Sequence, residues 1–313
     1  MSETLYKNAL AHDITIALSI VTPFHKNDPS LLLDILYRQC QGLSVELIIV
    51  DDGSGDEQLT TLVKGIIDGF PVPATLVTFS ANRGRSAARN RLIEQAKAPY
   101  LLFLDSDMAP DSDHFVSDWL ALINRVQPAI AYGGFSTLQV ADTPNLALAR
   151  ALAQRGDCLT ARARVAKGPL AVATSNLLVR ADIMKTVKFD SDFVGWGWED
   201  VDWALRAAKA GFAISHVPIP ATHMGLDEAK VLLEKFAKAG PNFRLIVQRH
   251  PQMLLTQGTR VAKMMSYLPL QNALRQALFT VALNEKYGLY WRSLAARAWR
   301  ALWASCTVEM PSR

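Results

Sequence analysis

Cysteine is scarce and scattered in this chain: Cys40, Cys158 and Cys306 are odd in number and lie far apart. They have neither disulfide-framework nor metal-site spacing, which predicts reduced thiols and a cytoplasmic setting. Long apolar runs are missing too. The strongest candidate, residues 264–283, is interrupted by Gln271, Asn272 and Arg275, so no membrane-spanning helix is expected. The first fifteen residues are polar and mixed in charge, which argues against a secretory signal. No Gly-x-Gly-x-x-Gly follows the first strand candidate and no Gly-Lys-Ser/Thr loop occurs, so dinucleotide oxidoreductases and P-loop ATPases lose support. Internal repeats and low-complexity tracts are absent as well.

What remains is a chain of 313 residues, half of them hydrophobic, enough for one large core or two smaller ones. Residues 16–21, 45–50 and 100–104 are apolar strand candidates that end in polar turns: Thr22-Pro23-Phe24-His25, Asp51-Asp52-Gly53-Ser54 and Asp105-Ser106-Asp107. Between them, 31–41, 57–67 and 85–96 have helical spacing or helix-forming composition. Strand and helix in alternation predict a mainly parallel α/β sheet whose ligands gather beyond the carboxyl ends of the strands. There, two carboxylates one residue apart repel each other unless a cation compensates them, and a hard divalent ion such as Mg²⁺ or Mn²⁺ suits that task. A helix cap at Asp105 and a solvated turn at Asp107 is the competing explanation.

Five motifs in order carry a resemblance: Ser19-Ile20-Val21-Thr22-Pro23, Val50-Asp51-Asp52-Gly53-Ser54, Asn82-Arg83-Gly84 with Ala88-Arg89-Asn90, Leu104-Asp105-Ser106-Asp107, and Gly195-Trp196-Gly197-Trp198-Glu199-Asp200. Over roughly residues 14–225 the chain resembles the family 2 inverting glycosyltransferases of GT-A fold, and the last motif with His223 is similar to their galactosyltransferase and chondroitin-polymerase-like branches. The resemblance implies a UDP-sugar donor, a glycan or lipid-linked glycan acceptor and a divalent metal, Mn²⁺ or Mg²⁺. It implies that Thr22, Pro23 and Phe24 pack on the nucleotide base, that Asp52 accepts hydrogen bonds from the uracil or ribose, and that Arg85 is the cation beside the nucleotide, with Arg83 and Arg89 competing for that role. Asp107 would ligate the metal. Asp105, with Ser106, would ligate it indirectly or hold the ribose, and His223 would be the third ligand, in preference to His216. Asp200 would be the general base and Glu199 would orient the acceptor, against which Trp198 offers a flat apolar face and Asn176 a polar contact. Helix-dipole complementation is the other account of the two acids. Asp202 and Arg206, four residues apart, read as a helix-surface ion pair.

Charge divides the chain near Gly240: from residue 241 onward ten Lys or Arg face two acids, a net of +8, against −4 before it. The expected organisation is a catalytic domain over 1–240, with a nucleotide-sugar half at 14–110 and an acceptor half at 111–240, followed by a basic amphipathic helical extension over 241–313. On a helical wheel Trp291, Leu294, Ala298 and Leu302 oppose Arg292, Arg297 and Arg300. This predicts peripheral contact of 284–306 with the anionic inner face of a membrane, packing on the catalytic domain being the alternative. No nucleic-acid module accompanies the basic tail. Arg155, Arg162, Arg164 and Lys167 are further cations that could meet a diphosphate or an acidic glycan, or form an ordinary solvated face. A sugar-nucleotide nucleotidyltransferase and an inert glycan-binding partner of a synthase are the competing functions. The first normally needs a glycine-rich loop that 22–28 lacks, and Asp107 and Asp200 argue against the second.

Overall fold

The computed structural model describes residues 2–10 and 15–305; Ile14 and Cys306, which bound two of the expected segments, lie outside the described residues. Two compact units emerge. One comprises the chain through Val140, Asp157–Ser191 and Trp203–Gly225; the other comprises Ala141–Gly156, Asp192–Asp202 and the chain from Leu226 onward. The break therefore comes at Gly225, ahead of the charge boundary near Gly240, and two earlier segments join the second unit.

Among the described residues the first unit is built on eleven strands: β1 Glu3–Lys7, β2 Leu18–Phe24, β3 Val45–Asp51, β4 Ala74–Phe79, β5 Tyr100–Leu104, β6 Met108–Pro110, β7 Ile130–Tyr132, β8 Phe135–Ser136, β9 Asn176–Arg180, β10 Ile214–His216 and β11 Ala221–His223. Eight form one sheet in the order β1-β4-β3-β2-β5-β9-β7-β10, and the other three a small sheet, β6-β11-β8. Strands β2 to β5 run parallel, joined by the crossover helices Ser30–Gln39, Glu57–Asp68 and Arg85–Gln95; β1 and β9 run antiparallel to their neighbours. Side chains alternate across a strand, so a two-sided sheet needs two apolar layers. Along β5, Leu102 and Leu104 join one buried cluster while Leu101 and Phe103 join the other. This is the α/β architecture expected of a GT-A fold.

The second unit is helical. Ala147–Gly156, Ala229–Lys238, Gly240–Arg249, Gln257–Ser266, Gln271–Leu283 and Leu289–Ser305 are its longer helices, and Leu148, Leu233, Phe236, Ala282, Ala296 and Trp299 are buried together in its core. The wheel expected for the last helix is corrected here. Its inward stripe is Ala295, Ala296, Trp299 and Leu302, because two small residues in succession let helices approach closely. Arg292 is buried, its Nε donating to Ala282 O at 3.0 Å, and Trp299 Nε1 donates to Leu233 O at 2.9 Å. Trp291 and Leu294, expected on the apolar side, are 59% and 44% exposed. Among the described residues no helix is long and apolar enough to cross a membrane.

Candidate active site

β5 delivers its carboxylates to the strand ends in unequal states. Asp105 Oδ1 accepts from Arg89 Nη2 at 3.2 Å, and that guanidinium is almost wholly buried, over the ring of Phe189. Arg89 is thus a counter-ion to Asp105 inside the unit. Ser106, also buried, accepts through Oγ from Asn27 Nδ2 at 2.6 Å. Asp107 is different. Its peptide oxygen accepts from Met224 N at 2.8 Å and its Oδ2 lies 3.3 Å from His223 Nε2, yet its Oδ1 is buried without a hydrogen-bond partner among the described residues.

His223 reaches Asp107 because β11 pairs antiparallel with β6, setting His223 opposite Met108. The next turn must then pass close to the carboxylate. A Cβ on Gly225 would stand 2.1 Å from Asp107 Oδ2, so any side chain there would displace the carboxylate. Burial pushes the Asp107 carboxyl up, but the hydrogen bond and charge of His223, with Arg85 beyond, outweigh it and hold the group below its ordinary range. A buried carboxylate oxygen left open next to an imidazole suits a divalent cation that the protein holds through few ligands, leaving other positions for phosphate oxygens. Asp107 and His223 fit such an ion. Asp105 is engaged with Arg89, and among the described residues no three His, Cys, Asp or Glu side chains converge as a complete metal cage.

The turn after β3 is tied down from within. Asp51 Oδ1 accepts from Ser54 N at 2.9 Å and Ser54 Oγ at 2.6 Å. Asp52 Oδ1 accepts from Arg83 N at 2.7 Å, and its Oδ2 from Gly84 N at 3.0 Å and Asn82 Nδ2 at 3.1 Å. Burial pushes the Asp52 carboxyl up despite the Arg83 and Gly84 hydrogen bonds. Both acids therefore shape backbone, and Asp52 anchors the loop that leads to Arg85. Gly53 permits this: a Cβ there would meet Ala81 C at 2.2 Å. Arg85 itself is exposed at the start of its helix.

Three expectations are corrected by burial. Thr22 and Phe24 are 0% and 3% exposed because β2 continues through them, in register with β3 as far as Asp51; of the three residues assigned to the base, only Pro23 is partly exposed. Asn176 is fully buried at the head of β9, where its Nδ2 donates to Gly134 O and Ile219 O at 2.8 Å each, so it closes the sheet and cannot touch an acceptor. Arg164 is buried likewise, its guanidinium donating to the peptide oxygens of Gly133 and Val217. His216 Nε2 lies 3.1 Å from Gly168 O.

In the second unit, the segment Asp192–Asp202 carries Trp198, Glu199 and Asp200. The helix Glu199–Lys209 begins with the two acids; Glu199 is buried and Asp200 half-buried, its Oδ1 accepting from Val201 N at 3.0 Å. Trp198 has φ +78°, and its half-buried ring packs on Phe243 at 5.1 Å. Asp202, expected on the helix surface, is fully buried with Oδ1 2.8 Å from His250 Nε2.

Comparison with known proteins agrees with this architecture. Residues 19–162 match the protein-family model described as Glycosyl transferase family 2. Over 114 residues the chain is 31% identical to the succinoglycan biosynthesis protein ExoU of Rhizobium meliloti (strain 1021), a match covering 33% of this chain and 32% of that protein. In fold it is similar to the mannosyltransferase PcManGT from Pyrobaculum calidifontis, solved with GDP-Man and Mn²⁺ (TM-score 0.56, 15% identity, 95% of this chain and 91% of that one). It is also similar to residues 1–349 of S. aureus TarS, solved with UDP-GlcNAc (TM-score 0.52, 16% identity, 93% and 90%). These matches show a GT-A-like fold and support a family 2 glycosyltransferase.

Proposed function

We propose that this protein is a metal-dependent inverting glycosyltransferase that moves a hexosyl or N-acetylhexosaminyl group from a UDP-sugar to a hydroxyl of a glycan or lipid-linked glycan. The observation that carries the proposal is Asp107, whose buried Oδ1 is left open beside His223 at the mouth of β5. Support for polysaccharide assembly comes from the succinoglycan relative, and for a nucleotide-sugar donor and a metal from the GDP-Man, Mn²⁺ and UDP-GlcNAc bound by the structural neighbours.

In this reading Asp107 and His223 hold the divalent ion, which when bound neutralises charge on the diphosphate. Asp105, fixed by Arg89, and Ser106 border the ribose; Pro23 and the loop anchored by Asp52 border the base, and Arg85 faces the nucleotide. Asp200 takes the proton from the acceptor hydroxyl as its oxygen bonds to the anomeric carbon. The bond from that carbon to the diphosphate breaks on the opposite face, and configuration inverts. Glu199 orients the acceptor and Trp198 offers its ring to the sugar. Screening UDP-sugars for Mn²⁺-dependent hydrolysis without acceptor tests the proposal: release of UDP from one of them is expected, and release from none overturns it.

The enzyme would work at the cytoplasmic face of an anionic membrane, with a revised point of attachment. At the end of the helix Gln257–Ser266 and in the turn before Gln271–Leu283, Met264, Tyr267 and Leu270 are 62%, 74% and 80% exposed, and residues 241–284 hold five cations and no acid. An apolar tip in a basic setting suits an anionic bilayer. Replacing Tyr267 and Leu270 with Ser should abolish sedimentation with anionic vesicles, and undiminished sedimentation refutes the attachment.

A further inference from the structure

Ahead of Glu199 and Asp200, Gly195, Gly197 and Trp198 have φ of +80°, +92° and +78°, left-handed positions that no regular element supports and that are strained for tryptophan. Something must over-determine them. The second unit supplies one bracket, the helix Gly240–Arg249 with the residue that follows it. Asn242, 4% exposed, donates through Nδ2 to Val194 O and Gly197 O at 3.0 Å each and, at 3.4 Å, to Trp196 O. His250, 5% exposed, meets the fully buried Asp202 one turn into the acid-bearing helix. Phe243 backs Trp198, and Arg249 pairs with Asp192 while lying over Phe193. The segment is thus gripped at both ends and in the middle from one ten-residue helix and the residue after it, while Trp196 and Trp198 also meet Phe236 and Arg300.

We infer that Asn242 and His250 are positioning residues for the general base: they fix the Val194–Gly197 backbone and the first turn of the helix so that Asp200 stands where an acceptor hydroxyl can give it a proton. The inference rests on the base role proposed for Asp200. Asn242 is the stronger of the two, because a single buried amide satisfies carbonyls that the left-handed run leaves without strand or helix partners. Its chemistry is specific: an aspartate of the same shape has no hydrogen to donate and would set a carboxylate against carbonyl oxygens.

The test is steady-state transfer by the full chain in Asn242→Asp, Asp200→Asn and the double variant, with UDP affinity measured alongside. Asn242→Asp should lower kcat by about 10–10²-fold, the scale of a misplacement near 1 Å, while UDP affinity and the KM for the donor stay within about threefold. Asp200→Asn should lower kcat by about 10² or more, and the double variant should be no slower than Asp200→Asn alone, because Asn242 acts through the base. Leu233→Ala, a core truncation in the same unit, should lower the melting temperature without that kcat loss. If Asn242→Asp does not fold, Asn242→Ala and the milder Asn242→Ser take its place, with Ser, which keeps one donor, retaining more activity than Ala. Wild-type turnover in Asp200→Asn would remove the base reading. Loss in Asp200→Asn with none in the Asn242 variants, losses that add in the double variant, or an equal kcat loss in Leu233→Ala would overturn the positioning role and leave the base reading standing.

Discussion

The carboxylates of the two units are held in opposite ways. At the strand ends of the first unit, Asp51 and Asp52 accept from main-chain N–H groups of adjoining turns, and Asp105 is neutralised by an arginine sixteen positions earlier. At the head of the helix Glu199–Lys209 the grip comes from side chains forty or more positions later, an amide on the carbonyls and an imidazole on Asp202. A sheet fixes its own strand ends, because register leaves a turn little freedom. A helix N-terminus preceded by left-handed residues has no such support and depends on what packs against it. The first arrangement should therefore yield to changes in the turns and in the residues that directly touch each carboxylate, and the second to changes in a helix far along the chain.

The largest effect expected inside the first unit is from Gly225→Ala. The added methyl displaces the Asp107 carboxylate, so turnover should fall by about 10²-fold and the Mn²⁺ dependence of UDP affinity should shrink with it; an unchanged Mn²⁺ dependence shows that Asp107 can move without loss. Next is Arg89→Met, which keeps bulk but leaves Asp105 without its cation. Since Asp105 keeps 26% of its side chain in solvent, the cost should be about 1–3 kcal/mol, read from urea unfolding, and a loss near zero means that water compensates the charge. The smallest concerns pH. Burial lowers the His216 pKa from 6.5, with Arg164 adding to the effect and the bond to Gly168 opposing it, so folding favours neutral imidazole. That contribution is complete above pH 6.5 and is lost as pH falls toward the depressed value, so the melting temperature should drop on acidification below about 6.5. His216→Gln should flatten the drop, and an equal drop in the variant assigns it to other groups.

The same contrast explains what could be read from the residues. β5 occupies 100–104 as its apolar run implies, and the crossover helices lie within two residues of their expected bounds, because period and apolar run length are local signals. β1 escaped notice because Glu-Thr-Leu-Tyr-Lys is polar enough to pass for a tail and is an edge strand. Thr22 and Phe24 read as turn residues because the apolar run breaks at Thr22-Pro23, whereas pairing with β3 carries the strand one residue past the proline. Asp202 and Arg206 show the limit of helical spacing, which puts two residues on one face but cannot say what that face meets. His250 decides it for Asp202, and no local pattern marks either His250 or Asn242. On the last helix a wheel with Trp291 at its apolar centre overlooked the two alanines that permit close approach.

The central claim is that Asp107 links a divalent ion to the nucleotide. Titration of UDP into the protein with and without Mn²⁺, in the wild type and in Asp107→Ala, tests it most directly. Mn²⁺ should tighten UDP binding in the wild type and have no effect in Asp107→Ala, whose fold the melting temperature verifies; the same tightening in both proteins would contradict the account.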